Sequence, residues 1–195
     1  MVDWLILWGV SQGVGALVYP ILQDLAKDSA KDFVKDFFKD SLKHVALGEK
    51  DPRQIATGKA LKEFLLLMQQ QLKFRCKLTD GEIKKEYQDD VKKFIHHKSV
   101  REILAQAFDV NCESLDAEIL ADTWKDLQIK TLPGNFNWQV VNEQYFIKAQ
   151  EILWDSEELR AILNSQNLQG IQENTKELAG IVADFNLGKY QESIQ

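Results

Sequence analysis

Little in this sequence can serve covalent or metal chemistry. Two cysteines occur in 195 residues, Cys76 and Cys112, far apart and without a C-x-x-C spacing or adjacent histidines, which excludes a disulfide scaffold and a zinc pattern. Both read as small core residues. Histidine is nearly as scarce: His44, His96 and His97 stand in lysine-rich or amphipathic surroundings without a partner motif for proton transfer, and His96-His97 reads as a solvated helix end. H-E-x-x-H, G-x-S-x-G and calcium-loop patterns are all missing. Thr57-Gly58-Lys59-Ala60 has the glycine and lysine of a phosphate loop, but Arg53 stands where the first glycine belongs and Ala60 replaces the magnesium-binding hydroxyl. The sequence therefore predicts no catalytic residue, no cofactor and no metal site, and the chain is not expected to be an enzyme.

Proline is limited to three residues, no Asn-Gly or Asp-Gly turn separates alternating apolar runs, and β-branched residues are scattered. The class is all-α, a multi-helix bundle of about seven to nine helices. Basic excess is absent as well: a formal net charge of −6 argues against a nucleic-acid partner, which requires concentrated lysine and arginine. A hydrophobic content of 45% is enough for one good core with a smaller appended unit. The turn LPGNFNW (132–138), with Pro133-Gly134 and then Asn137 in a cap position, suggests a division into a bundle over 1–130 and a helical subdomain and linker over 131–195.

Charge is missing altogether from WLILWGVSQGVGALVYPILQ (residues 4–23). As one helix this run would be about 30 Å long, the thickness of a hydrocarbon core. An acidic start (Met1-Val2-Asp3) and the lack of a small-residue cleavage site oppose a secretory signal, so a cytoplasmic location is expected. Gly9, Gly13, Gly15, Ser11, Gln12 and Pro20 dilute the apolar gain of a constitutive span. Leu7, Val10, Val14, Leu17 and Ile21 form one helical stripe, which a core, a partner or a bilayer surface would each satisfy. Gly9 and Gly13 have the G-x-x-x-G spacing of close helix approach. Pro20 is a candidate joint, since it disfavours helical geometry at Tyr19. Trp4, Trp8 and Tyr19 would suit a membrane interface.

The next segment is built differently. Lys27, Lys31, Lys35 and Lys39 recur every four residues, each followed by an aspartate that lies three positions before the next lysine. Between them Phe33, Val34, Phe37, Phe38, Leu42 and Val45 make an aromatic-rich stripe under a zwitterionic face, which is either a solvated surface or an interaction face. Asp51-Pro52 predicts a helix start and a helix to about residue 74. Thr79-x-x-Glu82 and Ser99-x-x-Glu102 have capping-box spacing and predict helices near 80–95 and 99–108. Helices are also predicted over 114–128, burying Leu115, Ile119, Leu120, Trp124 and Leu127, over 138–154, and from Ser156 onward.

The two ends together resemble cyanobacterial NACHT-type signal-transduction ATPases. The opening MVDWLILWGVSQGVGALVYPILQDLAKD and its continuation KDFVKDFFKD look like the start of their amino-terminal helical domain, and ELRAILNSQNLQGIQENTKELAGIVADFNLGKYQE (from Glu158) looks like the segment leading into their nucleotide-binding domain. The resemblance implies an effector or signalling module without ATPase activity of its own. Its partners would be the NACHT ATPase of the same protein and, on activation, other copies of itself. The family has no catalytic residues to transfer. In arrangement the chain is also similar to the helical cell-death domains of fungal and plant immune receptors.

Two readings follow. In the first, clustering frees the apolar amino-terminal helix for membrane perturbation, with Trp4, Leu7, Trp8, Gly9, Val10, Gly13, Val14, Leu17, Tyr19 and Pro20 as the membrane or self-association residues. In the second, the bundle is an adaptor that recruits an effector or associates with its own kind, with Lys27, Lys31, Lys35 and Lys39 as its interaction face.

Overall fold

The computed structural model describes residues 3–28, 30–38, 51–109 and 111–164. Among them every regular element is helical: α1 (Trp4–Leu7), α2 (Val18–Asp28), α3 (Ala30–Phe37), α4 (Pro52–Gln70) with a π-helical turn (Gln71–Arg75), α5 (Asp80–His96), α6 (Lys98–Gln106), α7 (Ala117–Asp126) and α8 (Trp138–Asp155). The chain divides into two compact units, Met1–Leu159 and Arg160–Gln195. All named helices belong to the first; of the second, residues 160–164 are described and are helical. Leu42, Val45 and Lys39, and the part of the helix expected from Ser156 onward that lies beyond residue 164, fall outside the described residues.

Local signals set most helix starts. Asp51 accepts the Arg53 backbone N–H at 2.9 Å, with Pro52 as the first residue of α4. Thr79 and Glu82 form the reciprocal capping box of α5: the Thr79 hydroxyl accepts from the Glu82 N–H and the Glu82 carboxylate accepts from the Thr79 N–H. Asn137 accepts the Val140 N–H at 3.1 Å and opens α8. The second expected capping box does not form. His97 is the N-cap of α6 without a side-chain bond, so Ser99 lies inside the helix, and Glu102 reaches Lys98 one turn back at 3.8 Å.

α4 is the centre of the bundle. Ala56, Ala60, Leu61, Phe64, Leu65, Leu67 and Met68 are buried, and the helix packs most extensively along α8, with α2 and α3 against it as well. A helix enclosed on several sides needs apolar residues around its circumference, and each large side chain so buried contributes about 1.5–3 kcal/mol. The Phe64 ring stands edge-on to Tyr145 at 5.5 Å and stacks near Phe94 at 6.4 Å. From Phe94 the aromatic contact continues to Trp124 at 5.0 Å and Trp138 at 5.2 Å.

The aromatic ridge of α3 belongs to this core. Phe33, Val34, Phe37 and Phe38 are buried, and Phe37 and Phe38 meet Phe108 at 6.0 and 5.4 Å. Of the lysine-aspartate repeat, Asp36 pairs across helices with Arg101 at 2.7 Å, as does Asp24 just before it with Lys92 at 2.6 Å, while Asp32 keeps the expected partner Lys35 at 3.4 Å. Cys76 and Cys112 are half-buried instead of core, and Ile119 is exposed while Leu127 is half-buried. Those two positions flank the α7 stripe that Leu120 and Trp124 fill, so the rotation of α7 leaves them at its margins.

α8 also completes α6. Tyr145 donates its hydroxyl to the Leu104 carbonyl at 2.9 Å, Gln150 donates to Ala107 at 2.7 Å, and Asn142 donates to Leu115 at 2.7 Å. The final carbonyls of a helix lack partners within it, and α6 ends without glycine or a basic side chain, so the Tyr145 and Gln150 bonds fill the gap, while the Asn142 bond ties α8 to the segment before α7. Burial holds the Tyr145 hydroxyl well above its ordinary value of 10.0. The unfolded chain therefore releases this proton first, and the Tyr145 contribution is present below pH 10 and lost as the pH rises past it. Tyr145→Phe is expected to cost about 1 kcal/mol near neutral pH, and in alkaline ultraviolet titration of the folded wild type Tyr145 should stay un-ionised until unfolding.

Candidate functional site

The expected single helix over residues 4–23 is two helices joined by a strap. Asp3 caps α1 by accepting the Leu5 and Ile6 N–H groups at 3.1 and 3.4 Å, but α1 stops after one turn. Gly9 has φ +67, its N–H bonds to the Ile6 carbonyl at 3.0 Å, and the Val10 N–H bonds to the Leu5 carbonyl at 2.8 Å. This is a Schellman end, which requires the left-handed conformation that glycine adopts at no steric cost. Gly9 and Gly13 therefore share no helical face, and a Cβ on Gly13 would meet open space. Pro20 is the third residue of α2, where a helix needs no N–H donor, so the break in the helix falls between residues 8 and 17 and not at Pro20.

The strap is seated on α4 at two points. At the first, Trp8 is 2% exposed and its indole N–H donates to the Gln54 carbonyl at 3.2 Å. Its ring lies directly on Gly58: a Cβ there would stand 2.0 Å from the indole nitrogen. At the second, the Gln69 side chain, itself buried, accepts the Leu17 N–H at 2.9 Å as α2 begins. Gly15, at φ +122, lies against the same amide, where a Cβ would be 2.1 Å from Nε2. Both seats thus pair a glycine with a larger polar or aromatic side chain from the other segment.

Of the expected stripe, Val10, Leu17 and Ile21 are buried, whereas Leu7 and Val14 are half-buried. Trp4, Tyr19 and Pro20 are half-buried, and the Trp4 ring lies 6.1 Å from that of Trp8. Ile6 is 73% exposed. On the lysine face, Lys27 and Lys35 are exposed; the Lys31 side chain and Lys39 lie outside the described residues.

At the start of α4, the N-cap Asp51 and Arg53 form an ion pair that sequence reasoning missed. Arg53 is 1% exposed and donates Nε and Nη2 to the two Asp51 oxygens at 2.8 and 2.6 Å. Burial raises the Asp51 carboxyl, but the hydrogen bonds and charge of Arg53 outweigh it and hold the group below its ordinary value of 3.8.

No group of three or more histidine, cysteine or acidic residues placed to hold a metal occurs among the described residues. His96 sits edge-on to Phe33 at 5.2 Å, with Nδ1 2.7 Å from the Lys92 carbonyl. Among the described residues no helix is long and apolar enough to cross a membrane. What the arrangement supports is mechanical: an uncharged segment folded onto a bundle.

The family described as NACHT N-terminal Helical domain 2 matches residues 21–195. The chain belongs to that family. No curated protein and no solved structure matches it. As a NACHT N-terminal helical domain, the chain is a member of the helical region that precedes the ATPase and not of the ATPase itself. The family match begins inside α2, so the strap lies outside it.

The seats had one sequence signal. Gly58 is an isolated glycine inside a strong helical pattern, where close packing is the usual reason for its cost.

Proposed function

We propose that this domain is the effector or adaptor end of a NACHT protein and that it acts on membranes. Oligomerisation of the NACHT ATPase brings several copies together, residues 4–23 leave their seats on α4, and the apolar side chains meet a bilayer. The domain is cytoplasmic at rest and membrane-associated when active. The observation that carries this reading is the strap: an uncharged segment held by two small seats, with positive-φ glycines at both ends and Ile6 already in solvent. Contact with the headgroup boundary suits it better than a span, since a short helix with tryptophans and mixed glycines gains from shallow burial.

A second reading, an adaptor that recruits an effector or docks on its own kind, is favoured by Ile147, 55% exposed beside Leu66 and Leu67 in a groove between α4 and α8. The exposed Lys27 and Lys35, on α2 and α3, would offer a separate charged face for such a partner.

The test fuses residues 1–195, and a version beginning at Ile21, to a scaffold that enforces oligomerisation, and follows dye release from anionic vesicles. Release that needs both clustering and the first twenty residues is the expected result. The double variant Leu7→Glu with Val14→Glu should stay folded, because both positions are half-buried, and should release no dye. Equal release by that variant, or none from a folded and clustered wild type, would turn the function toward adaptor binding.

A further inference from the structure

The far end of α4 has its own unusual geometry. After Gln70 the helix widens into a π-helical turn, closed by the Cys76 N–H on the Gln71 carbonyl at 3.0 Å, and Lys77 then takes φ +62 to turn the chain toward α5. Single π-turns are uncommon and often lie at functional positions. Here the turn places Phe74 at the surface, 64% exposed, between Lys73 and Arg75, with Lys77 two residues beyond Arg75. Arg75 and Lys77 are exposed and form no ion pair among the described residues.

The charge around Phe74 departs from that of the whole chain. Between residues 73 and 85 there are five cations (Lys73, Arg75, Lys77, Lys84, Lys85) and two acids (Asp80, Glu82), in a chain of formal net charge −6. Both acids are engaged: Asp80 pairs with Lys73 at 2.7 Å, and Glu82 is held by the capping box. Lys84 and Lys85 are exposed in the first two turns of α5, which packs against the π-turn.

We propose that this corner, Phe74 with Arg75, Lys77, Lys84 and Lys85, docks the domain on an anionic bilayer. The cations meet acidic headgroups, each contributing about 1 kcal/mol near such a surface, and the Phe74 ring enters the headgroup boundary. An acidic protein groove would satisfy the charges, but a ring projecting alone among cations suits a surface that yields around it. The occupant rests on the membrane reading of the strap and adds an orientation to it. Gln69, which holds the strap at Leu17, is five residues before Phe74, about 7 Å along a helix axis. Docking at this corner brings the root of the strap to the bilayer before the strap is released.

The test is co-sedimentation of residues 1–195, without any scaffold, with phosphatidylcholine vesicles lacking or containing phosphatidylserine. Wild type is expected to bind only the phosphatidylserine vesicles, and less at high salt. Arg75→Glu with Lys77→Glu should weaken binding at least tenfold, and Phe74→Ser should weaken it without changing the salt dependence. Lys125→Glu with Lys148→Glu makes the same change in net charge elsewhere and should bind like wild type. Equal loss in that control, undiminished binding by the corner variant, or wild type that stays in solution while folded by circular dichroism would each overturn the assignment. Dye release separates the two failures: leakage by clustered Arg75→Glu/Lys77→Glu protein with undiminished vesicle binding removes the corner and keeps the strap, whereas wild type that neither binds nor leaks removes both.

Discussion

Gly58→Ala is expected to lower the stability of the domain by about 2–4 kcal/mol, although alanine is the better helix former by about 1 kcal/mol. The sign separates the seat from an ordinary helix surface. A Cβ at this position would lie 2.0 Å from the Trp8 indole nitrogen, far inside contact distance, and the neighbour is a large ring fixed by its bond to the Gln54 carbonyl. Trp8 must leave, and the loss of a buried tryptophan, about 3–5 kcal/mol, exceeds the gain in helix propensity. Thermal unfolding measures the total, and limited proteolysis between residues 9 and 16 reports whether the strap has come off while the bundle persists. Gln69→Leu should act at the other seat in the same direction, since it leaves the Leu17 N–H without its acceptor. If the strap is the active element, Gly58→Ala should also release dye without clustering. A melting temperature that rises, with unchanged proteolysis, would remove the seat from the account.

Arg53→Met carries the other large effect, a loss of about 3–5 kcal/mol, because it leaves the Asp51 carboxylate buried without its cation. The pair is almost enclosed, with Arg53 1% and Asp51 7% exposed, so the solvent screening that makes surface pairs weak is absent. Arg53→Met combined with Asp51→Ser should recover much of the loss, since serine keeps the N-cap and the uncompensated charge is gone. The pH dependence has a definite sign. The folded-state value of Asp51 is lowered from 3.8, so its contribution is fully present above that value and is lost as the pH falls below it through the lowered folded value. The stability difference between wild type and Asp51→Asn should therefore be constant at neutral pH and shrink in acid below 3.8. A difference that already fades near pH 6 would assign the effect to another group.

The helices themselves were legible because their signals are contiguous. Asp51-Pro52, Thr79 with Glu82, and Asn137 each carry the donor or acceptor for a helix end within three residues, and each forms the predicted cap. Ser99 with Glu102 has the same spacing and fails, because α6 begins a residue earlier, at Lys98, with His97 as its N-cap. The amino-terminal run misled more deeply. Its stripe Leu7, Val10, Val14, Leu17 and Ile21 has true helical spacing, yet Gly9 and Gly15 adopt positive φ and break the helix, and glycine spacing alone does not distinguish a packing face from a helix end. Arg53 looked like a defect in a phosphate loop and is instead half of a buried ion pair.

By itself the sequence determined the all-α class, the starts of α4, α5 and α8, the aromatic stripe of α3 and the uncharged character of residues 4–23, since each depends on residues within a turn or two of one another. Tertiary structure alone decided where that uncharged segment goes. Trp8 finds its hydrogen-bond acceptor 46 positions away and Leu17 finds its own 52 positions away. Such partners are chosen by the shape of a helix surface, where a missing Cβ leaves room for a ring, and that shape exists only once α4 has folded.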